Sequence, residues 1–358
     1  MHGGDIYSDE NPNGRDLIDF SSNANPYGPP ESIYKIQGEA LEHAMKYPDI
    51  EYRSLKKEIL IHHNLSDVSV VLGNGAGEII DLAIRGIESI LILSPSYSEY
   101  EESAKRYGVE ISYLEYTHYQ IEEKKYQLKI DVDDFYRKFE SVDAVIIAHP
   151  NNPDGSMLDF KTMNSIVEFA KKNNKRIIVD ETFFDYSIGK LPFTPFLEED
   201  IDLVIIKAIT KFYGLPGIRF GYGLCSREET AKGIRSYQRP WNVNAYAEKF
   251  AIECFKDIDY KMDANITNRE ERSWLVSHLL ELNIIERVYM SQGNYILFKL
   301  KDVKASEFRE ELIEEGILVR NCDNYKGLDE YFVRIAVKKR SENIKLLAAL
   351  KNKYFKGV

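Results

Sequence analysis

From about Ser69 onward the chain alternates short β-branched and aliphatic runs with amphipathic stretches of helical length. The runs are Val68–Leu72, Ser89–Leu93, Glu110–Leu114, Ala144–Ala148, Arg176–Val179, Leu203–Lys207 and Arg219–Leu224. Runs this short, separated by helices, argue for a doubly wound α/β sheet, mostly parallel and here of seven strands.

After about Pro240 the pattern changes. Longer helical stretches, Ala245–Phe255 and Asn265–Leu282, are followed by strand candidates at Tyr295–Leu300, Ile317–Arg320 and Phe332–Ala336 and a final helix over Ser341–Tyr354. This predicts a second, smaller α+β domain. Residues 1–30 are rich in Gly, Pro, Asn and Asp, with one apolar run at Leu17–Phe20, and read as an extended arm that must lie on something. The expected organisation is an arm (1–30), a large domain (31–245) and a small C-terminal domain (246–358) against which the arm packs.

Composition narrows the function classes. A chain of 358 residues that is 44% hydrophobic can bury the core an enzyme cleft needs. A net charge of −11, with no long block of either sign, argues against a nucleic-acid or anionic-membrane surface. Cys225, Cys254 and Cys322 are odd in number and form no C-x-x-C, so neither a disulfide framework nor a zinc ribbon is indicated. No apolar stretch reaches the roughly 18 residues of a membrane span, and the N-terminus lacks the apolar core of a signal peptide; the expectation is a cytoplasmic protein.

Four segments carry candidate chemistry. Gly73-Asn74-Gly75-Ala76-Gly77-Glu78 joins a strand to the helical run Ile79–Gly86, where glycines allow close backbone approach and helix N–H groups suit a phosphate. A dinucleotide fingerprint fails, because the sixth position is Glu78 and Ser94-Pro95-Ser96-Tyr97 leaves no acidic residue closing the next strand. A tight turn without ligand fits this loop equally well. Pro150-Asn151-Asn152-Pro153-Asp154-Gly155 follows a strand, where open α/β sheets bind ligands, although Asn-Pro and Asp-Gly are also ordinary turn formers. Asp180-Glu181 closes another strand, and a carboxylate there can hold a cation or cap a helix. Thr210-Lys211 lies between apolar runs; desolvation lowers a lysine's pKa and frees its amine to attack a carbonyl, the alternative being a surface lysine.

Each signal is weak alone, but the order is specific: glycine-rich loop, Tyr97, Asn152, Asp180, then Lys211 with Arg219 eight residues on. In this the chain resembles the fold-type-I, aspartate-aminotransferase-like pyridoxal-phosphate enzymes, over nearly its whole length. Within them it is similar to the histidinol-phosphate aminotransferases and, more closely, to the L-threonine-O-3-phosphate decarboxylases of cobamide synthesis. The stretches pointing to the decarboxylases are His2-Gly3-Gly4, Asp19–Pro26, Arg239–Asn244 and, most distinctively, Leu318–Asp329, with Phe183 in place of the aminotransferases' usual Tyr.

The resemblance implies pyridoxal 5'-phosphate as cofactor, bonded to Lys211, which would also shuttle protons. Asp180 would keep the pyridine nitrogen protonated, Tyr97 would stack on the ring, and Asn152 would bond its phenolic oxygen. Gly75, Ala76, Gly77, Thr210 and Arg219 would serve the cofactor, chiefly its phosphate, and Tyr47 would reach the phosphate of a neighbouring subunit, implying a homodimer with shared sites. Asn23, Arg320 and Arg334 would hold a substrate carrying carboxylate and phosphate.

The chain departs from the family at Ala208 and Gly77, where hydroxyl residues are usual, and at Asp154, which puts an extra carboxylate near the expected site. His62-His63 cannot present a ligand pair on one helix face, so no metal is inferred. His149 reads first as packing or a local hydrogen bond. The leading expectation is a decarboxylating lyase, followed by an aminotransferase using 2-oxoglutarate and glutamate, and remotely a non-catalytic cofactor-binding protein.

Overall fold

The computed structural model describes residues 3–7 and 17–354. Its strands are β1 (Ile18–Asp19), β2 (Ser69–Gly73), β3 (Ser89–Ser94), β4 (Glu110–Glu115), β5 (Thr117–Glu122), β6 (Lys125–Lys129), β7 (Ala144–Ala148), β8 (Arg176–Asp180), β9 (Asp202–Ala208) and β10 (Gly221–Cys225). They continue with β11 (Ile285–Tyr289), β12 (Tyr295–Leu300), β13 (Ile317–Leu318), β14 (Arg320–Asn321) and β15 (Phe332–Ala336).

Seven strands form the large sheet in the order β2-β10-β9-β8-β7-β3-β4. β10 runs antiparallel to both neighbours, and the other pairings are parallel. The strands' two-residue period divides their side chains between two cores. Leu91, Val145, Ile177 and Ile205 enter the core on one face, while Ile90, Ile146, Ile178 and Ile206 enter the core on the other. Burial on both faces is why these strands read as continuous apolar runs instead of alternating ones.

The second sheet has the order β14-β15-β12-β11-β6-β5. Its β5–β6 hairpin comes from the middle of the chain, inside the span 31–245, and reaches across to pair β6 with β11. The hairpin had no sequence signal because β5 is largely exposed and polar. The arm joins the same region: β1 pairs in parallel with β13, and Phe20 is fully buried beside Phe298 and Phe308. Burying that phenyl ring contributes about 1.5–3 kcal/mol to holding the arm down.

Three expected elements are corrected. The strand read as Arg219–Leu224 begins at Gly221, because Arg219 adopts a left-handed φ of 58° that no strand residue uses. Ile317–Arg320 is two short strands: β13 serves the arm and β14 serves β15, the pairing changing at Val319. The helix expected from Asn265 starts at Ile258, where the Asp257 side chain accepts from the Tyr260 N–H at 2.9 Å. Among the described residues no helix is long and apolar enough to cross a membrane.

Candidate active site

A cleft opens at the C-terminal ends of the central parallel strands, between the large sheet, the arm and the β14–β15 ladder. Ala76, Gly77, Tyr97, Asn152, Asp180, Thr210, Lys211 and Arg219 line it from the large sheet's side, and Asn23, Arg320 and Arg334 from the other.

The glycine-rich loop ends at the start of the helix Ala76–Ile84. Gly75, at φ 86°, precedes that helix, and a Cβ there would fall 2.5 Å from Nη2 of Arg219. The missing side chain is what lets the guanidinium lie against the loop. Gly221 does the same for the adjoining strand, since its Cβ would lie 2.4 Å from the Ala76 nitrogen. Helix N–H groups, positive dipole and guanidinium therefore converge on one anion-sized place. Gly77 is different: nothing lies within 4 Å of a Cβ built on it.

Asp180 ends β8 buried and doubly bonded. Tyr100 donates to its Oδ2 at 2.6 Å and the Thr182 N–H to its Oδ1 at 3.0 Å. Burial pushes the carboxyl's pKa up, and those two bonds pull the other way. Tyr97 packs edge-on against Tyr100, with ring centroids 5.7 Å apart, and burial raises its phenol.

The backbone of Lys211 is fixed from three sides, its carbonyl accepting from the N–H groups of Asn25 and Gly214 and from the Tyr186 hydroxyl. Burial lowers its ammonium to about 8, the charges of Arg334 and Arg219 add to the effect, and Asp180 opposes it. An amine with that pKa is partly neutral at ordinary pH.

Across the cleft, Arg334 donates to Asn152 Oδ1 at 2.5 Å and to the Ser21 carbonyl at 2.9 Å, while its buried Nε has no partner. Tyr325 also donates to Asn152 Oδ1. With that oxygen engaged, the amide's remaining capacity is as a donor. Arg320 bonds the Asn321 carbonyl and Asn324 Oδ1. Both arginines are buried, and among the described residues neither has a carboxylate partner. Asn23 is buried too, with an unpartnered Oδ1. Buried guanidinium groups without a carboxylate, together with the unpartnered Arg334 Nε and Asn23 Oδ1, fit an anionic ligand with further acceptors and donors.

Other expected residues lie elsewhere. Asp154 does not enter the cleft: it turns into its own loop, accepting from Asn151 Nδ2 and the Ser156 N–H, and burial raises it to about 6. Ala208 is buried and does not line the cleft. Tyr47 is exposed and packs tilted against Trp241, with ring centroids 4.7 Å apart, outside this chain's own cleft. His149 is buried between Phe184 and Phe193, its Nε2 3.3 Å from the Leu191 carbonyl. His2 lies outside the described residues, whereas Gly3 reaches the cleft, where a Cβ would meet the Ser21 carbonyl at 2.2 Å.

Sequence reading missed Tyr100, Thr182 and Tyr325. Tyr100 was within reach, because it follows Tyr97 by three residues where the chain enters the helix Glu99–Arg106, and the two rings meet there.

The layered fold and this cleft define a fold-type-I pyridoxal-phosphate enzyme. Residues 15–350 match the family model aminotransferase class I and II, and the chain belongs to that family. A Caldanaerobacter subterraneus protein provisionally named a threonine-phosphate decarboxylase is 35% identical, the match covering 100% of this chain and 95% of the relative. The threonine-phosphate decarboxylase of Salmonella typhimurium is 29% identical, covering 94% and 91%. Among solved structures, the histidinol-phosphate aminotransferase from Clostridium acetobutylicum superposes with a TM-score of 0.89 at 38% identity, covering 95% and 99%.

Proposed function

We propose that this chain decarboxylates an O-phosphorylated amino acid, turning threonine phosphate into aminopropanol phosphate as in cobamide synthesis. The observation that carries the reading is the buried pair Arg320 and Arg334, two guanidinium forks without carboxylate partners, matching a substrate with both a carboxylate and a phosphate. The names of the two relatives at 35% and 29% identity support it. The second reading, transamination of histidinol phosphate with 2-oxoglutarate, is favoured by the 38% identity to the Clostridium structure.

The cleft fits pyridoxal phosphate. Gly75, Ala76 and Gly77 with Thr210 and Arg219 would hold its phosphate, joined by Tyr47 from a second copy in a homodimer with shared sites. Tyr97 would cover one ring face, Asp180 would keep the ring nitrogen charged, and Asn152 would donate to the phenolic oxygen. When bound, the cofactor supplies an electron sink for the pair left on the substrate's Cα. Lys211 would bond the cofactor and then, released by substrate, deliver a proton to Cα at the place carbon dioxide has left. Arg320, Arg334 and Asn23 would fix the substrate's anionic groups. To favour decarboxylation they must orient the carboxylate without stabilising it more than the transition state.

The test is substrate selection: kcat/KM for threonine phosphate, for threonine, and for histidinol phosphate with 2-oxoglutarate. Preference for threonine phosphate over both supports the reading, and turnover of histidinol phosphate alone replaces it with the second.

A further inference from the structure

A second cleft lies away from Lys211, between the helix Ile258–Leu280, the segment around Ile188–Lys190 and the turn Met290–Gln292. Its charged lining is entirely basic: Lys125, Lys190, Arg269 and Arg272, with no Asp or Glu. Lys125 is committed to Glu122 at 2.8 Å. Arg269 and Lys190 make no ion pair among the described residues.

Arg272 sets this cleft apart from an ordinary basic surface. It is half-buried in the cleft wall, and among the described residues its Nη1 donates to the Gly293 carbonyl and no carboxylate neutralises it. Burial, with Arg269 adding repulsion, pushes it down to about 10, far from where an arginine rests. Enclosing an unpaired guanidinium beside a second cation is costly unless an anion completes the set. Arg269, Arg272 and Ser273 share one helix face with Val276 and Leu280, one or two turns on, so charge and hydroxyl at one end pass into an aliphatic wall at the other.

We propose that this cleft binds a small organic phosphate, its dianion held by Arg272, Arg269 and Lys190 and its aliphatic part lying against Val276 and Leu280. Several separate cationic donors and a hydroxyl suit three terminal oxygens better than the two of a carboxylate. The cleft also touches the framework of the first site, since its wall residue Tyr186 donates to the Lys211 carbonyl at 3.1 Å.

The test is amide hydrogen exchange of the full-length, pyridoxal-phosphate-loaded protein titrated with glycerol 2-phosphate and, separately, with inorganic phosphate. The expected result is protection of 186–192 and 269–280, saturating at lower concentration for glycerol 2-phosphate, apart from any response of the peptides around Arg320 and Arg334. Arg272→Leu should weaken that protection about tenfold or more and leave the response around Arg320 in place. The surface double variant Lys190→Ala/Arg269→Ala should weaken it too, which covers the case of Arg272→Leu failing to fold. Protection confined to the Lys211 cleft, or protection of 269–280 unaltered in the variants, overturns the proposal. Equal potency of inorganic phosphate overturns the assignment to an organic ligand.

Discussion

Arg320 and Arg334 are direct Cα partners across the antiparallel β14–β15 pair, so two guanidinium groups share one cross-strand position. Like charges so placed repel, and here burial removes the water that would screen them. The arrangement makes sense when an anion bridges them. Phosphate should therefore raise the melting temperature of the protein, and Arg320→Ala or Arg334→Ala should shrink that rise. Each substitution should also reduce kcat/KM by about 2–5 kcal/mol of transition-state binding, as expected for a desolvated charge pair. An undiminished phosphate shift in both variants would place the anion elsewhere.

Lys211 titrates at about 8 because burial and two nearby arginines disfavour its charged form. In the cofactor-free protein, the rate of covalent capture of pyridoxal phosphate, trapped by borohydride, should rise through about pH 8 and level off above it. Arg334→Ala removes a repelling cation, so the midpoint should move up. Peptide mapping should place the label on Lys211, and Lys211→Ala should lose on the order of 10²–10⁴-fold in turnover.

Tyr100 donates to the carboxylate that would face the cofactor ring. Tyr100→Phe removes one hydrogen bond to a charged acceptor, about 1.5–3 kcal/mol, and leaves the ring packing in place. Asp180 should then titrate higher, and the balance by which it shares the proton of the ring nitrogen should change. The measurement is the pH dependence of the bound cofactor's absorbance, whose transition should shift, with turnover falling about tenfold or more; an unmoved transition would make Tyr100 a packing residue only.

Two glycines two residues apart should respond oppositely. Gly75→Ala meets Arg219 and a φ of 86°, so cofactor affinity should fall. Gly77→Ser enters open space at the helix start, so the fold should be unaffected and cofactor release should slow as a hydroxyl donor is added. Cofactor dissociation rates measured by dilution decide both.

Much of the large sheet was legible because its strands are buried on both faces and stand out as apolar runs between helices. The loops at their C-terminal ends were legible for a related reason: Asn152, Asp180 and Lys211 each follow such a run and line the cleft together. What escaped depends on distant parts of the chain. The β5–β6 hairpin is polar and finds its partner only in β11, far along the sequence. Tyr325 reaches Asn152 across 173 positions. Asp154 was placed near the site by adjacency to Asn152, yet one residue beyond Pro153 the chain turns it into its own loop, where Asn151 holds it.

The central claim is the bond that breaks, and the most direct measurement is product stoichiometry from threonine phosphate labelled at its carboxyl carbon, with 2-oxoglutarate present. The expected result is one labelled carbon dioxide and one aminopropanol phosphate per substrate consumed, with no glutamate formed. Glutamate accumulating while the label stays in the organic product would contradict decarboxylation and make the protein an aminotransferase.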